Sequence, residues 1–157
     1  MERGCSMVNS GVYMLWLYLP RRVSRTVGKL GTFSFPPGVY AYSGSAQRHL
    51  QQRIARHRRA AKKLHWHIDY FRAAAELLGF VVFPGAPKEG ECRCAEQLLR
   101  LPGAALPAPG LGSSDCSCGS HLVYLPSLQP GLVALGHAVE NIELGAAKPL
   151  AFFDAGD

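Results

Sequence analysis

Hydrophobic and polar positions divide the first half of the chain into short, sharply bounded segments. Residues 12–19 are continuously apolar, rich in aromatics and stopped by Pro20, which predicts a buried strand. Residues 23–27 and 32–35 flank Gly28-Lys-Leu-Gly31, a hairpin pattern. Pro36-Pro-Gly38 predicts a turn, and residues 39–43 return as a second strand. Alternation there sends Tyr40 and Tyr42 to one side and Val39, Ala41 and Ser43 to the other.

Gly44-Ser45 ends that strand and opens a predicted helix over 46–62. Ala46, Leu50, Ile54 and Ala61 fall close to one stripe, the core face. His49, Arg53 and His57 run at i, i+4, i+8 along its edge, while Arg56, Arg59 and Lys63 point outward. A second helical segment is expected over 65–75, a strand over 77–83 closed by Pro84-Gly85, and a helix over 91–101 ending before Pro102-Gly103. Residues 102–114 read as loop and 121–125 as a last short strand. The chain thus divides into an N-terminal extension (1–10, with Met7 an alternative start to Met1), a domain (11–125) and an appendage of uncertain order (126–157).

At 157 residues with 48% apolar composition, the chain suits one domain with its own core. The net charge of +6 matters less than its distribution. Residues 3–68 hold twelve of the seventeen Lys and Arg and no Asp or Glu. Residues 126–157 set one Lys against Glu140, Glu143, Asp154 and Asp157. A one-sided basic field concentrates polyanions, nucleic acid before anionic membrane. The 12–19 run is far shorter than the ~20 residues of a membrane span. It also lacks a small-residue cleavage site, so a cytoplasmic chain without membrane attachment is expected.

Three pieces then follow in order: Gly11-Val-Tyr13 at the start of a strand, Tyr42-Ser-Gly44 at the end of another, and Arg53 followed by His57 on the next helix. This order resembles the GIY-YIG nuclease superfamily, and Glu91 matches the acidic helix residue that completes the family's site. The resemblance sharpens to one branch, long catalogued as a domain of unknown function and sometimes fused to endonuclease III-like repair enzymes. Its features stand here as Gly28-Lys-Leu-Gly31, Gly38-Val-Tyr-Ala-Tyr-Ser-Gly-Ser-Ala46, Lys63-Leu-His-Trp-His-Ile-Asp-Tyr70, Glu91-Cys92 and Ser114-Asp-Cys-Ser-Cys-Gly-Ser-His-Leu122. It implies an α+β fold, a small mixed, largely antiparallel sheet flanked by helices. The implied activity is metal-dependent hydrolysis of DNA phosphodiesters in repair or DNA processing, with a repair enzyme as the implied partner.

The chemistry is coherent on the residues alone. A lone carboxylate such as Glu91 suits Mg²⁺ or Mn²⁺, which keeps waters and takes its other ligands from substrate phosphate. Arg53 offers a permanently charged planar fork to phosphate oxygens. Tyr13 or Tyr42 orients the attacking water or takes its proton. A phenol of pKa ~10 does the latter at neutral pH only where nearby cations lower that value. The catalytic set that the resemblance implies is Tyr13, Tyr42, Arg53, Glu91 and His57. Arg48, Arg56, Arg58, Arg59, Lys62 and Lys63 are the expected nucleic-acid face. His65, His67 and Asp69 form a second polar cluster, in which Asp69 at i+4 would orient the His65 imidazole on a helix.

Cys92, Cys116, Cys118 and His121 invite a structural zinc reading, against reduced, buried cysteines in a cytosolic chain, where disulfides are rare. Two rivals to the enzyme follow: a nucleic-acid-binding module that has lost catalysis, and a zinc-stabilised accessory domain.

Overall fold

The computed structural model describes residues 9–59, 63–112, 119–145 and 147–153. Their strands are β1 (Gly11–Leu19), β2 (Val23–Val27), β3 (Gly31–Phe35), β4 (Gly38–Ala46), β5 (Glu76–Pro84), β6 (Leu122–Leu125) and β7 (Leu150–Phe153). Their helices are α1 (Leu50–Arg58), α2 (His67–Arg72), α3 (Gly90–Leu98) and α4 (Leu132–Glu140). The class is α+β. The main sheet runs β6-β4-β1-β5-β7, β2 and β3 form a separate two-stranded ribbon, and every described pairing is antiparallel.

β1 is central and covered on both faces, which explains its unbroken apolar sequence. Val12, Met14 and Trp16 point into a core shared with α3 and α4. Tyr13, Leu15, Leu17 and Leu19 point into a second core with α1, α2 and the ribbon. Period-two alternation thus divides one strand between two layers.

Three elements differ from expectation for identifiable reasons. β4 continues through Ala46, which pairs with Gly11, so α1 begins only at Leu50. His49, before it, sits in the left-handed region at φ 62°, and Asn9 caps the helix from outside. The Asn9 Oδ1 accepts the Gln51 N–H at 2.8 Å and its carbonyl accepts that of Leu50 at 3.2 Å. α1 ends at Arg58, where the buried Arg72 guanidinium donates to the carbonyls of His57 (2.9 Å) and Arg58 (2.8 Å). α2 starts at His67 rather than 65, because Asp69 accepts the backbone N–H groups of His65 and Trp66, both at 2.8 Å.

The described residues of the stretch expected as an appendage, 126–145 and 147–153, belong to the domain. Leu135, Val139, Ile142 and Leu144 are buried in the first core, and β7 pairs with β5. Among the described residues no helix is long and apolar enough to cross a membrane.

Candidate active site

The register of β1 and β4 sets Tyr13 opposite Gly44 and Leu15 opposite Tyr42. Residues opposite in an antiparallel pair share a face, so both tyrosines stand on the α1 side as diagonal neighbours. Gly44 is required here: a Cβ at that position would lie 2.5 Å from Tyr13 Cζ. The tyrosines lie where β1 begins and β4 ends. α3 packs against the opposite face of the sheet but starts at this same end, and Gly90 lets it come close. A Cβ at Gly90 would meet Val12 Cγ2 at 2.8 Å. Glu91, in the first turn of α3, therefore reaches the same cleft as the tyrosines.

That cleft measures about 790 Å³ and is lined by Tyr13, Tyr42, Ser45, Arg53 and Glu91, among others. Ser45 joins its two charged ends. Its hydroxyl makes a short hydrogen bond to Glu91 Oε2, and its carbonyl accepts from Arg53 Nη1 at 2.6 Å. The Arg53 guanidinium also lies 5.0 Å from the Trp66 ring centroid. Glu91 Oε1 faces Lys88 Nζ at 3.8 Å and His121 Nδ1 at 3.6 Å.

His57 does not line the cleft but stands behind Tyr13. It is fully buried, and its Nε2 lies 2.9 Å from the Tyr13 hydroxyl. With the ring proton on Nδ1, the phenol donates to Nε2.

The condition for a tyrosine to act as base at neutral pH, cations that lower its pKa, is not met. Burial pushes the Tyr13 phenol well above its ordinary value, the neighbouring Tyr42 and Glu91 add to this, and Arg53 only partly opposes them. Tyr42 is raised as well, by burial first and then by Glu91. Desolvation outweighs the cations, so both phenols are protonated at neutral pH. Burial lowers the pKa of His121, and Lys88 adds to the effect, against the pull of Glu91.

The family described as a domain of unknown function, DUF123, matches residues 12–144. The chain belongs to that family. No curated protein and no solved structure matches it. The DUF123 match extends past residue 125 and takes in α4, in keeping with the packing of that helix into the core.

Within this DUF123 domain the expected basic face divides. Arg48 and Arg56 line the cleft. Arg56 is tied down: its guanidinium holds the buried Asp69 carboxylate through two bonds at 2.9 and 2.8 Å and stacks 4.3 Å from the Trp66 centroid. Arg58 turns away, lying 5.7 Å from the Phe80 ring on β5. Arg59 and Lys63 are exposed outside the cleft lining, and Lys62 lies outside the described residues.

The second polar cluster is also rearranged. His65 and His67 line the cleft, but Asp69 sits beneath it, bonded to Arg56 and two backbone N–H groups rather than to an imidazole. A guanidinium and two amides offer this carboxylate more donors than one imidazole would.

The zinc reading loses Cys92, which is disulfide-bonded and so is not a thiolate. His121 lies between Cys92 and Glu91, with Nε2 3.5 Å from Cys92 Sγ and Nδ1 3.6 Å from Glu91 Oε1, and Cys116 and Cys118 lie outside the described residues. Cys94 does fit the reduced, buried alternative, with its thiol pushed up to about 12 by burial.

Sequence reasoning missed Ser45, Trp66 and Lys88. Ser45 directly follows the second motif, and Lys88 stands three residues before Glu91, a spacing that brings side chains together around a helix N-terminus.

Proposed function

We propose that this domain is a GIY-YIG-type nuclease, a divalent-metal-dependent endonuclease acting on DNA. One observation carries the reading: Tyr13, Tyr42, Arg53 and Glu91, from four different elements, line a single cleft. Random surface residues separated by up to 78 positions have no reason to meet. With Arg56 paired to Asp69, the cleft's remaining cations Arg48, Arg53 and Lys88 face one carboxylate among its lining residues, a balance that favours a phosphate.

The donor set fits a hard divalent ion. Glu91 supplies a carboxylate at the cleft wall with Ser45 against it, and Mg²⁺ or Mn²⁺ takes its remaining ligands from water and phosphate. When bound there, such an ion supplies charge neutralisation on the phosphoryl oxygens and on the leaving oxygen.

The protein's own groups divide the remaining work. Arg53, fixed by the Ser45 carbonyl and the Trp66 ring, presents its guanidinium to a phosphoryl oxygen and stabilises charge that grows in the transition state. Tyr13 acts as a relay rather than a phenolate. As its oxygen takes a proton from the attacking water, its own proton passes to His57 Nε2. The phenol stays neutral throughout, as its raised pKa requires. Tyr42 orients the water from the adjacent position.

The test is a cleavage assay on branched, nicked, duplex and single-stranded DNA with Mg²⁺ or Mn²⁺. Metal-dependent products that vanish on chelation are expected. DNA binding without a cut on any substrate would make the domain a binding module that has lost catalysis.

A further inference from the structure

The cleft leaves one strongly basic element without a role, the β2–β3 ribbon and the chain leading into it. Arg21, Arg22, Arg25 and Lys29 are all exposed, and residues 20–38 contain no acid. The ribbon's two sides differ. Val27 and Phe35 are buried beneath it, against the second core. The outward side carries Ser24 opposite Ser34 and Thr26 opposite Thr32, all four exposed. Cross-strand bonds hold this side in shape: the Thr26 and Thr32 hydroxyls are 2.8 Å apart, and Arg22 Nη1 donates to Ser34 Oγ at 3.0 Å.

The ribbon also lies on the cleft's side of the sheet, and its turn reaches back toward the cleft. A Cβ at Gly28 would lie 3.7 Å from the Tyr70 ring, on the helix whose first residue, His67, lines the cleft. Leu30 packs beside Gly110, where a Cβ would meet its Cδ1 at 3.1 Å, two residues before the cleft-lining Gly112.

The dimensions suit a duplex. A five-residue strand spans about 17 Å, and its partner lies ~4.8 Å away. B-DNA advances ~3.4 Å per base pair, so the ribbon covers about five steps. A two-stranded ribbon is narrow enough for the ~12 Å major groove. Arg21 and Arg22 at one end of the ribbon and Lys29 at the other flank this hydroxyl ladder as a phosphate backbone flanks groove acceptors, whereas Arg25, opposite Phe33, belongs to the other side.

We propose that the β2–β3 ribbon is a second duplex-contacting element, lying along the groove next to the phosphate held in the cleft. Arg21, Arg22 and Lys29 meet backbone phosphates, and the outward hydroxyls contact phosphate or base-edge acceptors, one proton of the Thr26–Thr32 pair remaining in their mutual bond. The proposal rests on the nucleic-acid reading above and extends it to a substrate class: duplex that continues beyond the scissile phosphate.

The test compares the whole chain with the triple variant Arg21→Ala/Arg22→Ala/Lys29→Ala, using a long duplex and a short one that ends before the ribbon. A second triple variant, Arg93→Ala/Arg100→Ala/Lys148→Ala, removes the same charge from exposed positions elsewhere. For the long duplex, the ribbon variant should lose about 0.9 in the slope of log K against log[salt] per lost phosphate contact, up to about 2.7 for three. The short duplex should bind both proteins alike, and the control variant should keep the wild-type slope. Circular dichroism confirms that the variants fold.

A ribbon variant with the wild-type slope overturns the ribbon while leaving the cleft reading intact. Equal losses in the ribbon and control variants also overturn it, since only net charge would then be at work. Loss of binding to phosphatidylserine vesicles with DNA binding untouched overturns it in favour of a membrane surface. A wild-type chain with no salt-dependent affinity for DNA removes both readings together.

Discussion

Tyr13 faces Gly44 across the β1–β4 pair, and its ring occupies the space a side chain at position 44 would need. The same phenol reaches His57 at 2.9 Å, so the glycine and the histidine together fix where its oxygen stands.

Gly44→Ala should therefore cost about 1–3 kcal/mol, the range for forcing extra volume into a packed site. It should also reduce cleavage sharply by moving the phenol. Combining it with Tyr13→Ala relieves the clash, so the double variant should be more stable than the two separate losses predict. Thermal denaturation of all four proteins checks this, and simple additivity would refute the steric account.

Glu91→Gln should abolish cleavage and leave metal-free DNA affinity nearly unchanged, because it keeps the shape and removes the charge a hard cation needs. Arg53→Ala should lower the rate by about 10²–10³, as removal of one transition-state donor does, with a modest loss of affinity. Single-turnover cleavage and binding titrations separate the two effects. Full activity in Glu91→Gln would move the metal elsewhere in the cleft.

Tyr13→Phe keeps the packing and removes the relay, so the rate should fall by about 10²-fold or more. Burial raises the pKa of both site tyrosines, so the wild-type pH–rate profile should show no tyrosine ionisation near pH 10. A profile that rises with a pKa near 10 and flattens in Tyr13→Phe would restore the phenolate as base.

Asp69→Asn should destabilise the fold by roughly 3 kcal/mol, the low end for a buried ion pair because Arg56 retains some contact with water. Burial pushes the Asp69 carboxyl up, but bonds from Arg56, Trp66 and His65 together hold it below its ordinary value. A depressed folded pKa stabilises fully above the unfolded value of about 3.9 and is lost as pH falls through the folded one. The gap between wild type and Asp69→Asn in urea melts should therefore be full at pH 7 and close in strong acid.

Much of the fold was legible. β1, the hairpin, the core of β4 and the strand ending at Pro84 are short apolar or alternating runs bounded by Pro and Gly. Helix ends were less legible, because the groups that set them lie outside the local pattern. Asn9 caps α1 from beyond the strand, and Arg72 closes it from the next helix. Residues 126–145 carry too few local signals to announce that Leu135 and Val139 fill a core begun by β1.

The sequence by itself determined the order of the elements as far as β6, through turn residues and alternation, and its resemblance to a known family supplied the candidate set Tyr13, Tyr42, Arg53 and Glu91. Only the tertiary structure decided what those groups touch. Tyr13 meets His57 across 44 positions and Ser45 meets Glu91 across 46, contacts that come from strand register and layer packing. It also sorted the basic residues, giving Arg56 to Asp69, Arg58 to Phe80 and Lys88 to the cleft. Burial also decided the tyrosine acidity, because desolvation depends on every layer around a side chain and local spacing reports only its neighbours in the chain.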